Sequence, residues 1–315
     1  MNIYKITNKG LSEIEKNPFA LEKDIQGLVE ENLDQLFGLQ FVATEYSVGE
    51  YRLDTLAFDK ENSAFVIVEY KKGHSYSVID QGYSYLSTML ENKAEFILEY
   101  NERLGETLKR EDVDWSSSRV LFVSPSFNSY QKNSVNFKDV PFELWEIKRF
   151  SGDLILLEQH KSSSKESIEK FSNANTDILN VTSEVKVHSE SEHLSRVGTE
   201  LQNTWEELKG KFLELDDTGV RVKRDYVAVT KGKKTVFYTK FQKKALVLEF
   251  IRGDESADGV KSKSFFDLKD PEGVAITKDF RWKSGVKHYD YEIRVNSKSD
   301  LDYVVYLLKQ KYESI

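Results

Sequence analysis

The sequence predicts an α/β fold for the first half of the chain, a mixed sheet flanked by helices, followed by a smaller α+β domain. Over residues 1–158, stretches with β-strand composition alternate with amphipathic helical stretches, as in mixed α/β domains. The chain has 315 residues, which exceeds the usual size of one compact domain. A polar stretch at 159–193 separates two halves with different patterns. We therefore expect domains at 1–158 and 194–315, joined by a linker.

The elements of the first half follow from the spacing of its apolar residues. Helical spacing predicts one helix over Asn17–Phe37 and another from about Val78 to Tyr100. Between them we expect three strands, the last two forming a hairpin around a polar turn: Gln40–Val48, Tyr51–Phe58 and Ala64–Lys71. Beyond the second helix, a helix-like turn and three more strands complete the domain, the strands at Arg119–Ser124, Phe142–Phe150 and Asp153–Leu157.

The second half starts after a change of composition. Ser, Asn, Lys and Glu dominate residues 160–192 and aromatic residues nearly vanish, which predicts a mobile linker or a loosely held helix. A new amphipathic helix begins near Leu194, and a closing helix is expected at Ser299–Tyr312. Between these helices we expect four strands, at Val220–Thr230, Thr235–Gln242, Ala245–Ile251 and Tyr289–Val295.

The composition excludes several classes of protein. The chain has no cysteine, which rules out disulfides, thiolate zinc sites and cysteine nucleophiles. No apolar run reaches the roughly 18–20 residues that span a bilayer, and the first residues lack the pattern of a signal peptide, so we expect a cytoplasmic protein without a membrane partner. The net charge of -8 does not favour a DNA-coating protein. This charge is uneven, with -11 on residues 1–196 and +3 on the remainder.

The predicted hairpin carries the strongest chemical signal. Strand alternation places Glu69 and Lys71 on one face, so a carboxylate and an ammonium emerge together at the end of the strand. Asp54, on the preceding strand, can approach the same end. Ionised groups among apolar neighbours are costly unless they are paired or bound to a metal, and a divalent cation relieves the repulsion between two carboxylates. We predict a Mg²⁺ site, with Mn²⁺ as a substitute, formed by Asp54, Glu69 and the carbonyl of Tyr70.

Asp54 followed by Glu69-Tyr70-Lys71 at the end of an apolar strand resembles the D…(D/E)-x-K motif of the PD-(D/E)XK nuclease superfamily. The resemblance is to its RecB-like and mismatch-endonuclease-like branches and covers about residues 17–150. Leu53 stands where the motif's name has proline, a position that varies in the superfamily. The resemblance implies a restriction-endonuclease-like fold and metal-dependent hydrolysis of phosphodiester bonds. It favours DNA over RNA, in repair or in defence against foreign DNA.

Three further residues extend the resemblance. Gln81 and Tyr85 lie one turn apart at the start of a predicted helix, where the Q-x3-Y motif of those branches contacts phosphate and metal-bound water. Glu22 matches their helical glutamate that completes the metal site, with Glu30 as its competitor about 80° round the helix. Lys71 is expected to position or deprotonate the attacking water or to stabilise the transition state. Lys72 is a candidate phosphate contact, although an exposed loop lysine is the simpler explanation.

The second half resembles a small domain found behind such nuclease domains in bacterial proteins called "predicted transport protein". The matching segments are Lys231–Lys244, Asp270–Gly273 and Tyr291–Arg294. Basic residues interleave there with aromatic residues, a pattern that suits nucleic-acid strands, with Arg224, Lys233 and Lys243 as candidate contacts. The alternative is a solvated strand face above an aromatic core.

Other functions remain open from the sequence. Each motif residue taken alone has an ordinary structural explanation, such as a solvated charge pair or a turn residue. The chain could be a nucleic-acid-binding module that keeps the nuclease fold without catalysis, or a protein–protein adaptor. A homodimer is also open, because many relatives act as dimers.

Overall fold

The computed structural model describes residues 2–8, 10–72, 77–162, 164, 166–168, 176–232, 234–253, 265–281 and 287–315. The chain divides into two compact units, Met1–Val187 and His188–Ile315. Among the described residues, no helix is both long enough and apolar enough to cross a membrane.

A hairpin that the sequence did not predict opens the first unit. It consists of β1 (Ile3–Thr7) and β2 (Gly10–Ile14), which pair only with each other. Most of its side chains are exposed on both faces, including that of Ile6. Because neither face is buried, the alternation of apolar and polar residues that reveals a strand is missing from this segment.

A six-stranded mixed sheet forms the centre of the first unit and confirms the predicted α/β class. Its strands, in order across the sheet, are β3 (Gln40–Val48), β4 (Tyr51–Asp59), β5 (Ala64–Tyr70), β6 (Arg119–Ser124), β7 (Phe142–Phe150) and β8 (Leu154–His160). The three central strands β5, β6 and β7 are parallel, and the outer pairs are antiparallel. The carboxyl ends of the three central strands therefore meet at one edge of the sheet.

Helices cover both faces of this sheet. They are α1 (Glu22–Glu31), α2 (Leu33–Phe37), α3 (Val78–Glu91), α4 (Lys93–Leu104), α5 (Ser129–Ser134) and α6 (Thr176–Glu184). Two predicted long helices are each divided into two, at Asn32 and at Asn92. Each asparagine side chain donates a 2.8 Å hydrogen bond to the carbonyl oxygen four residues earlier. Such a side-chain bond competes with the backbone ladder, and the helix changes direction there.

The strand β5 is buried on both faces, which determines where its polar residues point. Phe65 and Ile67 belong to the core that also contains residues of α3 and α4, whereas Val68 and Tyr70 belong to the core beneath α1. Because successive side chains alternate between faces, Glu69 lies on the α3 side of the sheet. The predicted alternation along this strand is confirmed.

Gly82 sets the position of α3 above the sheet. A Cβ atom added at Gly82 would lie 2.6 Å from the ring of Phe142, and that ring is packed edge-to-face against Tyr83 and Phe122. We expect Gly82→Ala to displace the first turns of α3 and to lower the free energy of unfolding by about 1–3 kcal/mol. Urea denaturation measures this change, with Gly27→Ala as the control, because a Cβ at Gly27 meets no atom within 4 Å. Equal stability of the two variants would contradict this packing.

Residues 159–193, where the sequence predicts a polar linker, include described helical segments. Val181 of α6 is fully buried and joins the core of the first unit. Ser84 on α3 donates a 3.3 Å hydrogen bond to Asp177 on α6. The helix α6 is thus part of the first unit, and the division between the units follows Val187.

The second unit is an antiparallel sheet with helices α7 (Glu190–Leu194), α8 (Thr199–Leu213) and α9 (Leu301–Glu313). The strands, in chain order, are β9 (Thr218–Val222), β10 (Val227–Lys231), β11 (Lys234–Gln242), β12 (Ala245–Ile251), β13 (Ile276–Arg281) and β14 (Lys287–Val295). Across the sheet the order is β13-β14-β12-β11-β10-β9. The single strand predicted at Val220–Thr230 is wrong. The chain reverses there, and the N–H of Lys223 donates to the carbonyl of Tyr226 at 2.9 Å. The strand β13 was not predicted.

Candidate active site

The ends of β4 and β5 bring the three motif residues together. The carboxylate of Asp54 accepts a 2.9 Å hydrogen bond from the backbone N–H of Tyr70. The Nζ of Lys71 lies 2.7 Å from Oε1 of Glu69. The regular pairing of β4 with β5 ends at Thr55 and Val68, so these groups occupy the point where the two strands separate. The arrangement therefore places two carboxylates and one ammonium at the carboxyl end of β5.

The helix α3 adds two polar side chains to the same group. The Nε2 of Gln81 donates to Oε1 of Glu69 at 2.8 Å and to the hydroxyl oxygen of Tyr85 at 2.7 Å. Tyr85 is buried and its ring packs edge-to-face on Tyr51 at 5.6 Å between ring centres. Burial and the nearby charge of Glu69 raise the pKa of Tyr85, so its phenol stays protonated at neutral pH. Gln81 and Tyr85 share one face of α3 because they are four residues apart.

The environment of Asp54 disfavours its ionised form. Burial and the negative charge of Glu69 raise the pKa of Asp54 to about 7, against the lowering effects of the Tyr70 N–H and the Lys71 ammonium. The charge of Glu22 adds to the increase. Two carboxylates in a buried site repel each other unless a proton or a cation lies between them. Asp54 therefore has the electrostatic environment expected of a cation ligand.

The donor atoms at this site fit a hard divalent cation. Within the described residues, Oε2 of Glu69 is buried and accepts no hydrogen bond, while Oε1 is bonded to Lys71 and Gln81. In a strand the N–H and C=O of one residue point to the same side, so the carbonyl of Tyr70 lies on the side of Asp54. The described residues contain no group of three or more His, Cys, Asp or Glu side chains spaced to hold a metal. Mg²⁺ needs only one or two carboxylates, because water completes its shell.

The start of α1 lies against the loop that follows Lys71. Glu22 accepts a 2.7 Å hydrogen bond from the N–H of Lys72, and the Nζ of Lys72 donates to the carbonyl of Ala20. Glu22 is thus close enough to act on the pKa of Asp54. Glu30 faces the interior instead, where its Oε1 accepts from Thr55 at 2.5 Å. Glu22, and not Glu30, is therefore the α1 carboxylate beside the site. His74, which follows the motif, lies outside the described residues.

A buried polar network beneath Asp54 was not predicted from the sequence. The Nε2 of Gln26 lies 3.0 Å from the carbonyl oxygen of Asp54 and 3.1 Å from Oε1 of Glu30. The hydroxyl of Thr55 also lies 3.1 Å from that of Tyr70. Gln26 follows Glu22 by one turn of α1 and is itself buried. This helical spacing of two polar residues was the sequence signal that could have revealed the network.

This network is expected to stabilise the strand that carries Asp54. We expect Thr55→Val to lower the free energy of unfolding by about 1–3 kcal/mol, because it removes the 2.5 Å hydrogen bond from the buried Thr55 to the half-buried Glu30 carboxylate. Urea denaturation measures the difference. Thr204→Val is a matched control, since the hydroxyl of Thr204 makes an exposed hydrogen bond to the carbonyl of Glu200 on its own helix. A loss at Thr55 no greater than at Thr204 would contradict the role of the network.

Two of the three candidate nucleic-acid contacts of the second unit lie in turns between its strands. Arg224 is exposed in the turn between β9 and β10, 3.5 Å from the Asp225 carboxylate. Lys243 is exposed in the turn between β11 and β12, and Lys233 lies outside the described residues. Two of the interleaved aromatic residues, Phe237 and Phe241, are buried in the core and so cannot stack on bases.

The sheet of the second unit has a second face, opposite the core that contains Phe237 and Phe241. On strands β11 to β14 this face carries paired charges. Glu249 is bonded to Lys240 at 2.6 Å, and Glu292 is bonded to Arg294 at 2.8 Å and to Lys278. Carboxylates thus neutralise three of the cations on this sheet. Glu292 is buried, so this side of the sheet is only partly solvated, and the role of Arg224, Lys233 and Lys243 as nucleic-acid contacts stays a prediction.

Comparison with known proteins gives one full-length relative. An uncharacterized protein of Haemophilus influenzae is 41% identical over 314 residues, covering 98% of this chain and 99% of its own length. The chain belongs to the family of that protein. No family model matches the chain.

Three solved structures have some similarity to this chain. They are a repair endonuclease from Pyrococcus abyssi (18% identity, TM-score 0.22), EndoMS in complex with double-stranded DNA (16%, 0.23) and SfsA from Pyrococcus furiosus with Ca²⁺ (13%, 0.24). The similarity covers 38%, 45% and 50% of this chain and 43%, 59% and 74% of theirs, respectively. Similarity at this level does not establish a shared activity.

Proposed function

We propose that the first unit is a metal-dependent nuclease of PD-(D/E)XK type that hydrolyses phosphodiester bonds. The observation that carries this proposal is the meeting of Asp54, Glu69 and Lys71 at the end of β5, with one buried Glu69 oxygen directed to no described protein donor. Buried carboxylates that only stabilised the fold would be fully paired. Two carboxylates beside one ammonium supply the groups that phosphodiester hydrolysis requires.

Asp54, Glu69 and the carbonyl of Tyr70 would hold the cation, with Mg²⁺ proposed and Mn²⁺ as its substitute. When bound, the cation supplies positive charge that offsets the charge developing on the phosphate oxygens. Glu22, whose charge acts on Asp54, is proposed to contribute to this donor set through water.

The protein's own groups perform the remaining tasks. The Lys71 ammonium, which donates to Glu69, is the cation proposed to act on a phosphate oxygen or on the attacking water. Gln81 donates to the same Glu69 oxygen as Lys71 does, and the Tyr85 hydroxyl accepts from the Gln81 amide. This bonding orients Glu69 before any substrate binds, so little reorganisation is needed during the reaction.

DNA is proposed as the substrate in preference to RNA, in a repair or defence role. The support is the resemblance of the D…E-x-K and Q-x3-Y residues to the RecB-like and mismatch-endonuclease-like branches. In this chain both motifs converge on one carboxylate, that of Glu69.

A panel of substrates tests this proposal. Single-stranded, double-stranded, branched and mismatched DNA, and RNA, are incubated with purified protein in Mg²⁺, in Mn²⁺ and in EDTA, beside Asp54→Ala. We expect metal-dependent cleavage of DNA by the wild type alone. Binding of DNA without cleavage by folded wild-type protein would instead identify a non-catalytic nucleic-acid-binding module. Absence of DNA binding even at low salt, where phosphate contacts are strongest, would favour a protein–protein adaptor.

A further inference from the structure

A second cluster of charged residues lies at the carboxyl end of the parallel strands. Glu146 on β7 accepts from the Nζ of Lys132 on α5 at 2.8 Å and from the Nζ of Lys148 at 2.6 Å. The backbone N–H of Phe127 donates to the same carboxylate at 3.3 Å. The Glu146 side chain is largely buried, whereas those of Lys132 and Lys148 are about one-third exposed, at 32% and 29%. The carboxylate thus holds two partly exposed ammonium groups in place.

The strand register connects this cluster with the candidate active site. Tyr70 is opposite Val123, and Ser124 is opposite Glu146, so Lys71, Ser124 and Glu146 follow one another across β5, β6 and β7. The three side chains lie on the α3 side of the sheet, because Glu69 and Phe122 share that side. Neighbouring strands are 4.7–4.9 Å apart, which puts the Glu146 cluster about 10 Å from Lys71 along the sheet edge.

Electrostatics keep the cluster charged and fixed. Burial alone would raise the pKa of Glu146, but the bonds from Lys132, Lys148 and the Phe127 N–H outweigh it and lower this pKa to about 2. Each lysine ammonium has three N–H donors, so its bond to Glu146 leaves it able to bind a further anion. In the pairing of β7 with β8, the residue opposite Glu146 is another carboxylate, Glu158, whose side chain is exposed. Along the edge formed by the ends of β5, β6 and β7, Lys132 and Lys148 are therefore the cations that follow Lys71.

We propose that Lys132 and Lys148 bind backbone phosphates of the nucleic acid next to the phosphate that is cleaved, and that Glu146 positions both ammonium groups. The inference rests on the proposed nuclease function and adds a second contact region to it. One nucleic-acid strand carries a charged phosphate at every nucleotide, so phosphates that neighbour a cleaved phosphate at Lys71 lie within reach of a cluster about 10 Å away.

The salt dependence of DNA binding tests this assignment without cleavage. Fluorescence anisotropy of a labelled 20-base-pair duplex is measured in EDTA between about 50 and 200 mM salt, a range in which phosphate contacts determine affinity. We expect Lys132→Ala/Lys148→Ala to bind more weakly and to reduce the slope of log affinity against log salt by about two. Lys132→Arg/Lys148→Arg should keep the wild-type slope.

The matched control is Lys60→Ala/Lys93→Ala, which removes two ion-paired lysines from the same unit. Lys60 lies in the turn between β4 and β5, and Lys93 contacts the ring of Trp115, which stacks on Phe65. Both positions are at the amino-terminal end of β5, away from the proposed path. Thermal melting of all variants confirms that they are folded.

The outcomes separate this inference from the proposed function. A slope for Lys132→Ala/Lys148→Ala equal to that of the control variant overturns the inference, whether or not the wild type cleaves DNA. A slope lowered by about two supports it, even if the substrate panel shows no cleavage and the nuclease proposal fails. Wild-type protein that does not bind DNA at low salt overturns both.

Discussion

Lys71→Ala is expected to slow phosphodiester cleavage by about 10²–10⁴-fold, the range for loss of a general acid or base or of one preorganised charge. Its ammonium lies 2.7 Å from Glu69 and is largely buried, so neither water nor a neighbouring side chain can replace it at the same position. Affinity for DNA in EDTA should change little, because at most one phosphate contact is lost. Single-turnover cleavage in Mg²⁺ measures the rate.

Lys93→Ala is the control for this change, since Lys93 is an ion-paired lysine of the same unit at the other end of β5. Lys71→Arg should recover part of the rate by restoring the charge, though not the geometry. Wild-type rates in Lys71→Ala would show that Lys71 only pairs with Glu69, and would remove it from the chemistry.

Asp54→Asn is expected to abolish cleavage and, at the same time, to make the metal-free protein more stable above pH 7. The asparagine keeps an oxygen that can accept from the Tyr70 N–H, and it removes the repulsion with Glu69. Burial and that repulsion raise the pKa of Asp54 to about 7, from its ordinary value of 3.8. Each pKa unit corresponds to about 1.4 kcal/mol, and allowing for partial screening we expect a gain of about 1–3 kcal/mol.

The raised pKa of Asp54 determines how the stability gain of Asp54→Asn changes with pH. A carboxyl group whose pKa is raised in the folded state binds its proton more tightly there than in the unfolded chain, so ionisation costs stability. The cost is absent below about pH 4, grows as pH rises towards 7, and is complete above it. Urea denaturation in EDTA at pH 4, 6 and 8 should therefore show a gain for Asp54→Asn that increases with pH. A constant gain, or a loss at pH 8, would contradict the repulsion between Asp54 and Glu69.

Mg²⁺ should reverse the order of stability. A ligand that binds only the folded state raises its stability, so millimolar Mg²⁺ is expected to stabilise the wild type and not Asp54→Asn. Equal stabilisation of both proteins would place the cation elsewhere.

The site residues that the sequence predicted could each be recognised from the periodicity of a single strand or helix. Alternation along β5 indicates that Glu69 and Lys71 emerge on one side, and helical spacing indicates the same for Gln81 and Tyr85. The structure brings all four together. Each pattern depends only on the geometry of its own element, so it could be recognised before the fold was known. Their roles in catalysis stay a prediction.

The features that were missed depend on contacts between distant segments. Gln26 and Thr55 matter because α1 packs against β4, which no local period reveals. The strand β13 forms only by pairing with β14. The reversal between β9 and β10 uses Arg224 and Asp225 without a glycine or a proline, so the usual turn signal is missing.

The most direct test of the central claim is cleavage of end-labelled duplex and single-stranded DNA by the wild type and Glu69→Gln, each in Mg²⁺ and in EDTA. The glutamine keeps the shape of the side chain and can still accept from Gln81, but it removes the charge that pairs with Lys71. We predict cleavage only by the wild type in Mg²⁺. Cleavage that persists in EDTA or in Glu69→Gln, or folded wild-type protein that cuts neither DNA, would contradict a metal-dependent nuclease centred on Glu69.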